Sequence, residues 1–141
     1  MDGKIEGPGA LETTNVGTFG VAKTTLLDKR FTMAYAAGIS DDNEAYFHDD
    51  RAGSPQVHPC IAFSLQWAAR FRPDQSQDPR VASFGVHAST DLVVHRPFKS
   101  GEAITTQGQL LQMRQMSTGP NTVDLYRMTS STGEIVAVLY Y

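Results

Sequence analysis

Residues 58–71, His58-Pro59-Cys60-Ile61-Ala62-Phe63-Ser64-Leu65-Gln66-Trp67-Ala68-Ala69-Arg70-Phe71, constrain the fold more than any other stretch. Proline is tolerated at a first helical position, because its missing N–H would be unpaired there in any case. The run then presents apolar residues in nearly every direction, broken only by Ser64, Gln66 and Arg70. A helix apolar over most of its circumference belongs inside a protein. Pro73 ends it, since the residue before a proline is pushed out of the helical region. The sequence thus predicts a long buried helix at about residues 59–71.

The chain beyond this helix reads as sheet. Residues 81–87, 90–95, 103–114, 122–129 and 134–141 are strand candidates, rich in Val, Ile, Thr, Tyr and Phe. Residues 99–101, 117–121 and 131–133 are the turns between them. Ahead of the buried helix, residues 16–22 predict an edge strand. A short helix runs from Lys29 to about Ala37, capped by Thr25 or Asp28, with Phe31, Ala34 and Tyr35 on one face and Gly38 as its stop. Residues 51–55 form a turn and residues 72–79 a polar connection. The order is helix, helix, then a meander, which makes an α+β fold with one antiparallel sheet wrapped around the buried helix. Residues 1–15 form a flexible N-terminal arm, and residues 16–141 a single domain.

A chain of 141 residues is long enough for a real core. Its net charge of −3 gives no electrostatic reason to expect a nucleic acid or a membrane surface as partner. The single cysteine, Cys60, excludes an internal disulfide, and its apolar setting favours an inert thiol. No stretch approaches the roughly 18 apolar residues of a membrane span. The first residues lack the apolar centre of a secretory signal, so the expected compartment is the cytoplasm. The last residues, Leu139-Tyr140-Tyr141, stop inside an apolar strand-like run, as expected of one half or one subunit of something larger.

Three segments carry the chemistry: YAAGISDDNEAYFHDD at 35–50, VHPCIAFSLQWA at 57–68, and HRPFKSGEAITTQGQLLQM at 95–113. In this order and spacing they resemble the MaoC-like hydratases and dehydratases. These are hot-dog proteins, named for a sheet wrapped around a helix, that add or remove water across the double bond of an acyl thioester. The resemblance runs from about Thr18 to Tyr141. The third segment carries only the general strand signal R-P-x-x-x-G followed by an acidic residue. The first two are more specific.

The hydratase motif of the family reads D-x-N-P-x-H, just before the buried helix. The resemblance implies that its carboxylate and imidazole hold one water and shuttle its proton. A backbone N–H at the start of the buried helix polarises the thioester carbonyl, helped by the helix dipole. Laid on this sequence without gaps, Asp41 takes the aspartate position and Asn43 the asparagine position. Glu44 then replaces the proline, and Tyr46 stands at the histidine position. A two-residue slip instead puts His48 there, with Asp50 matching an acidic residue that often follows, and Asp41 or Asp42 holding the water with His48. The gapless reading is better supported, because non-catalytic repeats of the family read D-x-N-P-x-Y. The helix start agrees: catalytic members show His-Gly, whereas this chain has His58-Pro59, and proline has no N–H to offer. Cys60 N–H is the substitute donor.

The candidate catalytic residues are therefore Asp41, Asp42 and His48, with Tyr46 at the family's histidine position. The candidate substrate-binding residues are Asn43, His58, Cys60, Trp67 and Arg96. Plainer readings stand beside these. Asp41 and Asp42 can simply cap turns, and His48 can sit with Asp49 and Asp50 in a solvated patch. His58 can be a helix cap without chemistry. His87 and His95 fall on strand candidates and read as structural. Arg96 and Lys99 either meet the phosphates of coenzyme A or pantetheine or end a solvated strand. Trp67 and Phe71 line either the core or an acyl tunnel. No histidine or cysteine spacing of a metal site occurs, so no metal is expected.

The expected function is an acyl-thioester hydratase or dehydratase, or the acyl-binding half of one. No cofactor is expected in the chemistry; coenzyme A or carrier pantetheine belongs to the substrate. The exposed edge of a lone sheet predicts a homodimer, or a heterodimer with a catalytic hot dog. A hot-dog thioesterase is the first alternative. It needs a carboxylate near the start of the buried helix, and residues 59–71 contain none. The second alternative is a non-catalytic module that holds an acyl chain or only pairs with another hot dog.

Overall fold

Three long strands set the frame: β3 (Ala103–Met116), β4 (Gly119–Ser130) and β5 (Ile135–Tyr140) form an antiparallel meander. The computed structural model describes residues 15–50, 55–70, 86–117 and 119–141. Along β3 the residues Ile104, Thr106, Gly108 and Leu110 are buried and those between them are not, which is the period of a sheet with one covered face. Their partners continue that face: Thr106 lies opposite Met128 and Gly108 opposite Tyr126, and β5 adds Ala137 and Leu139. A bulge between Leu110 and Gln112 breaks the register, a device that bends a strand. β1 (Lys23–Leu26) adds to β3, and β2 (Asp91–Val94) adds to β5. The sheet order is β1-β3-β4-β5-β2, antiparallel throughout.

Two α-helices and one 3-10 turn complete the described elements. α1 (Lys29–Gly38) is capped by Asp28, whose carboxylate accepts from Phe31 N at 2.8 Å. α2 (Ile61–Ala68) lies against the sheet with Ile61, Ala62, Leu65 and Gln66 buried. The apolar three, Ile61, Ala62 and Leu65, join Leu27, Val57, Phe98, Ile104, Tyr126, Met128, Val136 and Leu139 in one core.

Several expectations need correction. The ladder of the first strand forms at 23–26, not 16–22. Gly17 adopts φ +91, which turns the chain, and only Phe19 makes a bridge, to Gln109. Thr25 is therefore a strand residue, and the cap belongs to Asp28. Gly38 is the last helical residue, while the left-handed position after the helix is taken by Ser40 at φ +58. β3 and β4 reach Met116 and Gly119, so residues 119–121, expected in the turn, belong to the ladder. His87 lies outside any strand.

The central helix is shorter than 59–71, and the reason lies at its ends. Ile61 N donates to His58 O, and Phe63 N to Cys60 O, both at 3.0 Å. These are three-residue bonds, the tighter winding that often begins a helix. At the other end Arg70 N reaches Trp67 O at 3.3 Å in the same manner. The helix is also buried on one face only, since Trp67 is 58% exposed. Phe71, Pro73, the arm at 1–14 and the segments 51–54 and 71–85 lie outside the described residues.

Candidate functional site

The loop after α1 folds by short polar side chains. Asp41 Oδ1 accepts from Asn43 N at 3.0 Å, and Asn43 Oδ1 accepts from Ala45 N at 3.0 Å. These successive turns are what closely spaced Asp and Asn residues favour. They lead into a single 3-10 turn at Glu44–Tyr46. Gln56 N then donates to Ala45 O at 2.8 Å, which ties the loop to the approach to α2.

This brings several side chains together at the start of α2. His58 Nε2 stands 3.4 Å from Asp41 Oδ2, with the side chains 15% and 32% exposed respectively. The Tyr46 ring packs against the His58 ring at 5.2 Å, and the Tyr35 ring lies 5.9 Å from it. The Tyr35 hydroxyl donates to Cys60 O at 2.5 Å. Burial, and then the neighbouring Cys60, push the Tyr35 phenol above its ordinary pKa.

The backbone at this helix start is already engaged. Pro59 has no N–H, and Cys60 N donates to His58 Nδ1 at 3.1 Å. Ile61 N, Ala62 N and Phe63 N donate to the carbonyls of His58, Pro59 and Cys60.

The structure brings together Asp41, Tyr46, His58 and Cys60 of the residues nominated from sequence, and leaves the others elsewhere. Asp42 is exposed. Asn43 is exposed and spends its side chain as a cap. His48 turns to Glu44, with Nε2 3.3 Å from Oε2. Trp67 lies on the exposed face of α2, with the Arg70 guanidinium 4.4 Å above its ring. Arg96 is clamped: Nη1 and Nη2 donate to Glu102 at 3.1 and 2.9 Å, and Nε to Glu134 at 2.9 Å. Those bonds raise its pKa further above the ordinary arginine value. His87 stacks on Tyr141 at 4.6 Å, and His95 is exposed.

Tyr35 is the site residue that spacing does not reveal. Periodicity places it only on an apolar helix face. A half-buried tyrosine must still find a partner for its hydroxyl, and that requirement is the available signal. The same helix face, with Phe31, Ala34, Gly38 and Ile39, lines an open groove of about 380 Å³ toward Ser64 of α2. That volume falls within the range of small-molecule sites. Among the described residues, no group of three or more His, Cys, Asp or Glu could hold a metal ion, and no helix is long and apolar enough to cross a membrane.

No family model matches this sequence, and no curated protein matches it. Solved structures do match. One is the HadBC (3R-hydroxyacyl-ACP dehydratase) complex of Mycobacterium tuberculosis, with a TM-score of 0.76 and 16% identity over 92% of this chain and 96% of that one. A MaoC-like dehydratase from Phytophthora capsici gives 0.74 and 15% over 92% of this chain, which spans 47% of that longer one. An (R)-hydratase from A. caviae involved in PHA biosynthesis gives 0.63 and 16%, over 92% and 96%. The chain has the hot-dog fold of these dehydratases and hydratases.

Proposed function

We propose that this chain is a MaoC-like subunit that binds an acyl thioester for hydration or dehydration carried out with a second hot-dog chain. The observation that carries this reading is the occupied start of α2. A hydratase needs a free N–H aimed at the thioester oxygen, where enolate charge develops. Here Pro59 lacks one, and Cys60 N–H is bound to His58 Nδ1. Position 46 holds tyrosine where the family's hydratase motif has histidine. His48, the other imidazole in reach by sequence, pairs with Glu44.

On this reading the groove beside Tyr35 holds the acyl chain, and Asp41 faces the thioester end. The partner hot dog supplies the oxyanion donor and the imidazole. Water adds to the β-carbon, its proton goes to the α-carbon, and the thioester bond stays intact. No cofactor enters; coenzyme A or carrier pantetheine is part of the substrate. The setting is acyl-chain metabolism in the cytoplasm.

A partner is supported by the sheet's two edge strands, β1 and β2, and by the similarity to a chain of the HadBC complex. A second reading rests on the 3.4 Å approach of His58 to Asp41, in which that pair acts alone as acid and base.

The test is hydration of crotonyl- and octenoyl-coenzyme A by the purified chain, alone and mixed with the hot-dog protein encoded beside it. Activity in the mixture only is the expected result. Strong activity of the chain alone, abolished by His48→Ala or by His58→Ala, overturns it in favour of a self-sufficient hydratase. Light scattering should give a dimer, and a monomer at micromolar concentration under all conditions removes the paired-subunit reading.

A further inference from the structure

We infer that His58 is a positioning residue, its neutral ring locked with the proton on Nε2 and so set to orient the Asp41 carboxylate rather than to move protons itself. The assignment of a substrate rests on the acyl-thioester reading above; the assignment of the proton does not.

The Cys60 backbone N–H lies 3.1 Å from His58 Nδ1. A backbone N–H only donates, so Nδ1 must present a lone pair. In the neutral ring the proton then sits on Nε2, the atom 3.4 Å from Asp41 Oδ2. A protonated ring nitrogen cannot take a proton from water. The other nitrogen could do so only by displacing the Cys60 N–H. The Nδ1 edge is spent on the Cys60 N–H, and the Nε2 edge faces the Asp41 carboxylate.

The geometry around the ring is held from several sides. Tyr35 fixes Cys60 through its carbonyl, and the Tyr46 ring packs against the imidazole. Asp41 differs from His58 in what it retains. Its Oδ1 accepts from Asn43 N, yet each carboxylate oxygen has a further lone pair, and 32% of the side chain is open. A water or a substrate hydroxyl can bond there. The imidazole fixes the direction in which the carboxylate points.

Two measurements on the full chain test this. The first is nuclear magnetic resonance of the ¹⁵N-labelled protein at neutral pH, with His58 assigned by comparison with His58→Gln. The expected result is a ring protonated only on Nε2, with a nitrogen–nitrogen coupling across the Cys60 N–H to Nδ1 bond. A ring carrying its proton on Nδ1, or averaging between both nitrogens, overturns the inference.

The second is a conservative rescue. A glutamine side chain places an amide N–H where Nε2 stands, but has no acid–base chemistry. His58→Ala should weaken crotonyl-coenzyme A binding about tenfold, the scale of a lost hydrogen bond to a charge. His58→Gln should recover most of that loss, both in affinity and in turnover with the partner chain. If His58 itself moved protons, glutamine would be as inactive as alanine, down by about 10²–10⁴. That outcome overturns the assignment. Should the wild-type chain bind no acyl thioester with or without its partner, the thioester reading fails, and the resonance result alone decides the state of His58.

Discussion

Two polar clusters in this chain look alike in sequence and behave differently in the fold. One is Asp41 with His58 before α2; the other is Arg96 with Glu102 and Glu134 after β2. Each joins a cation-capable side chain to carboxylate, and each contains a candidate for binding substrate. The difference is in what remains unspent. Arg96 gives Nη1 also to Pro97 O at 2.9 Å, and Glu102 Oε1 accepts from Lys99 N at 2.6 Å. With Gly101 at φ +83 and its N–H on Leu27 O, that cluster closes the turn into β3 and ties it to the β4–β5 turn. Four of the five guanidinium N–H groups are spent on the fold. Asp41 keeps acceptor capacity and an open face. The R-P-x-x-x-G-acidic signature is thus a structural staple here, and the Asp-Asn loop is the cluster left free for chemistry.

The change with the largest expected effect removes the support of both clusters. Leu65 is 1% exposed and sits on the face of α2 that meets the sheet. Leu65→Asp buries an unpaired carboxylate, which costs several kcal/mol against a total stability of roughly 5–15. Urea titration should show no cooperative fold, or one shifted far to lower urea. An unchanged midpoint rules out α2 as the core helix.

Arg96→Ala leaves Glu102, with 15% of its side chain exposed, with the Lys99 N–H but without its cation. A loss of about 3 kcal/mol is expected. Crotonyl-coenzyme A affinity should survive, because the guanidinium's bonds run to Glu102, Glu134 and Pro97 of the fold. Affinity lost at full stability would instead make Arg96 a phosphate contact. The pH dependence has a definite sign. The folded arginine pKa is raised above its ordinary value, so its contribution is complete at neutral and mildly alkaline pH and is lost only as pH rises through the folded value. The arginine therefore adds no slope to stability across the neutral range.

How much of this is legible in the sequence differs between fold and site. The strand meander is, because β-branched runs and Gly-containing turns are local signals. The central helix is visible as an apolar run, but not its ends, which depend on the tight winding at 58–63 and near Arg70. Nor is the exposure of Trp67, since an apolar circumference does not say which face meets the sheet. Asp41, Tyr46, His58 and Cys60 stand out by their place in the motif and at the helix start. The His58–Asp41 approach and the Tyr35–Cys60 bond do not, because each joins residues far apart in sequence through tertiary packing.

A smaller effect tests the anchor behind the site. Tyr35→Phe removes the hydroxyl that holds Cys60 O and should cost about 1 kcal/mol. It should also change the alkaline limb. Burial raises the folded pKa of Tyr35 above the unfolded value, so its neutral form is favoured in the fold. The stabilisation linked to that shift is complete below pH ~10 and is lost as pH rises through the folded value. Melting curves of the wild type should therefore fall more steeply above pH ~10 than those of Tyr35→Phe. Parallel curves would mean that another group sets the alkaline limit.

The smallest expected effect sharpens the contrast between the two histidines of the loop region. His48 lies 3.3 Å from Glu44 Oε2, four residues back along the chain, with side chains 53% and 88% exposed. An exposed pair of this kind is worth little, because water screens it and two side chains must be ordered to make it. His48→Ala should shift stability by no more than about 0.5 kcal/mol, the usual scatter of surface substitutions. Crotonyl-coenzyme A affinity and turnover with the partner chain should stay at the wild-type level. His58→Ala, ten positions along the same sequence, should weaken binding about tenfold in the same assay. If His48→Ala instead abolishes turnover while the fold is intact, the loop must rearrange on binding to bring His48 to Asp41 or Asp42. The two-residue slip would then be the correct alignment, and the site would belong to a complete hydratase.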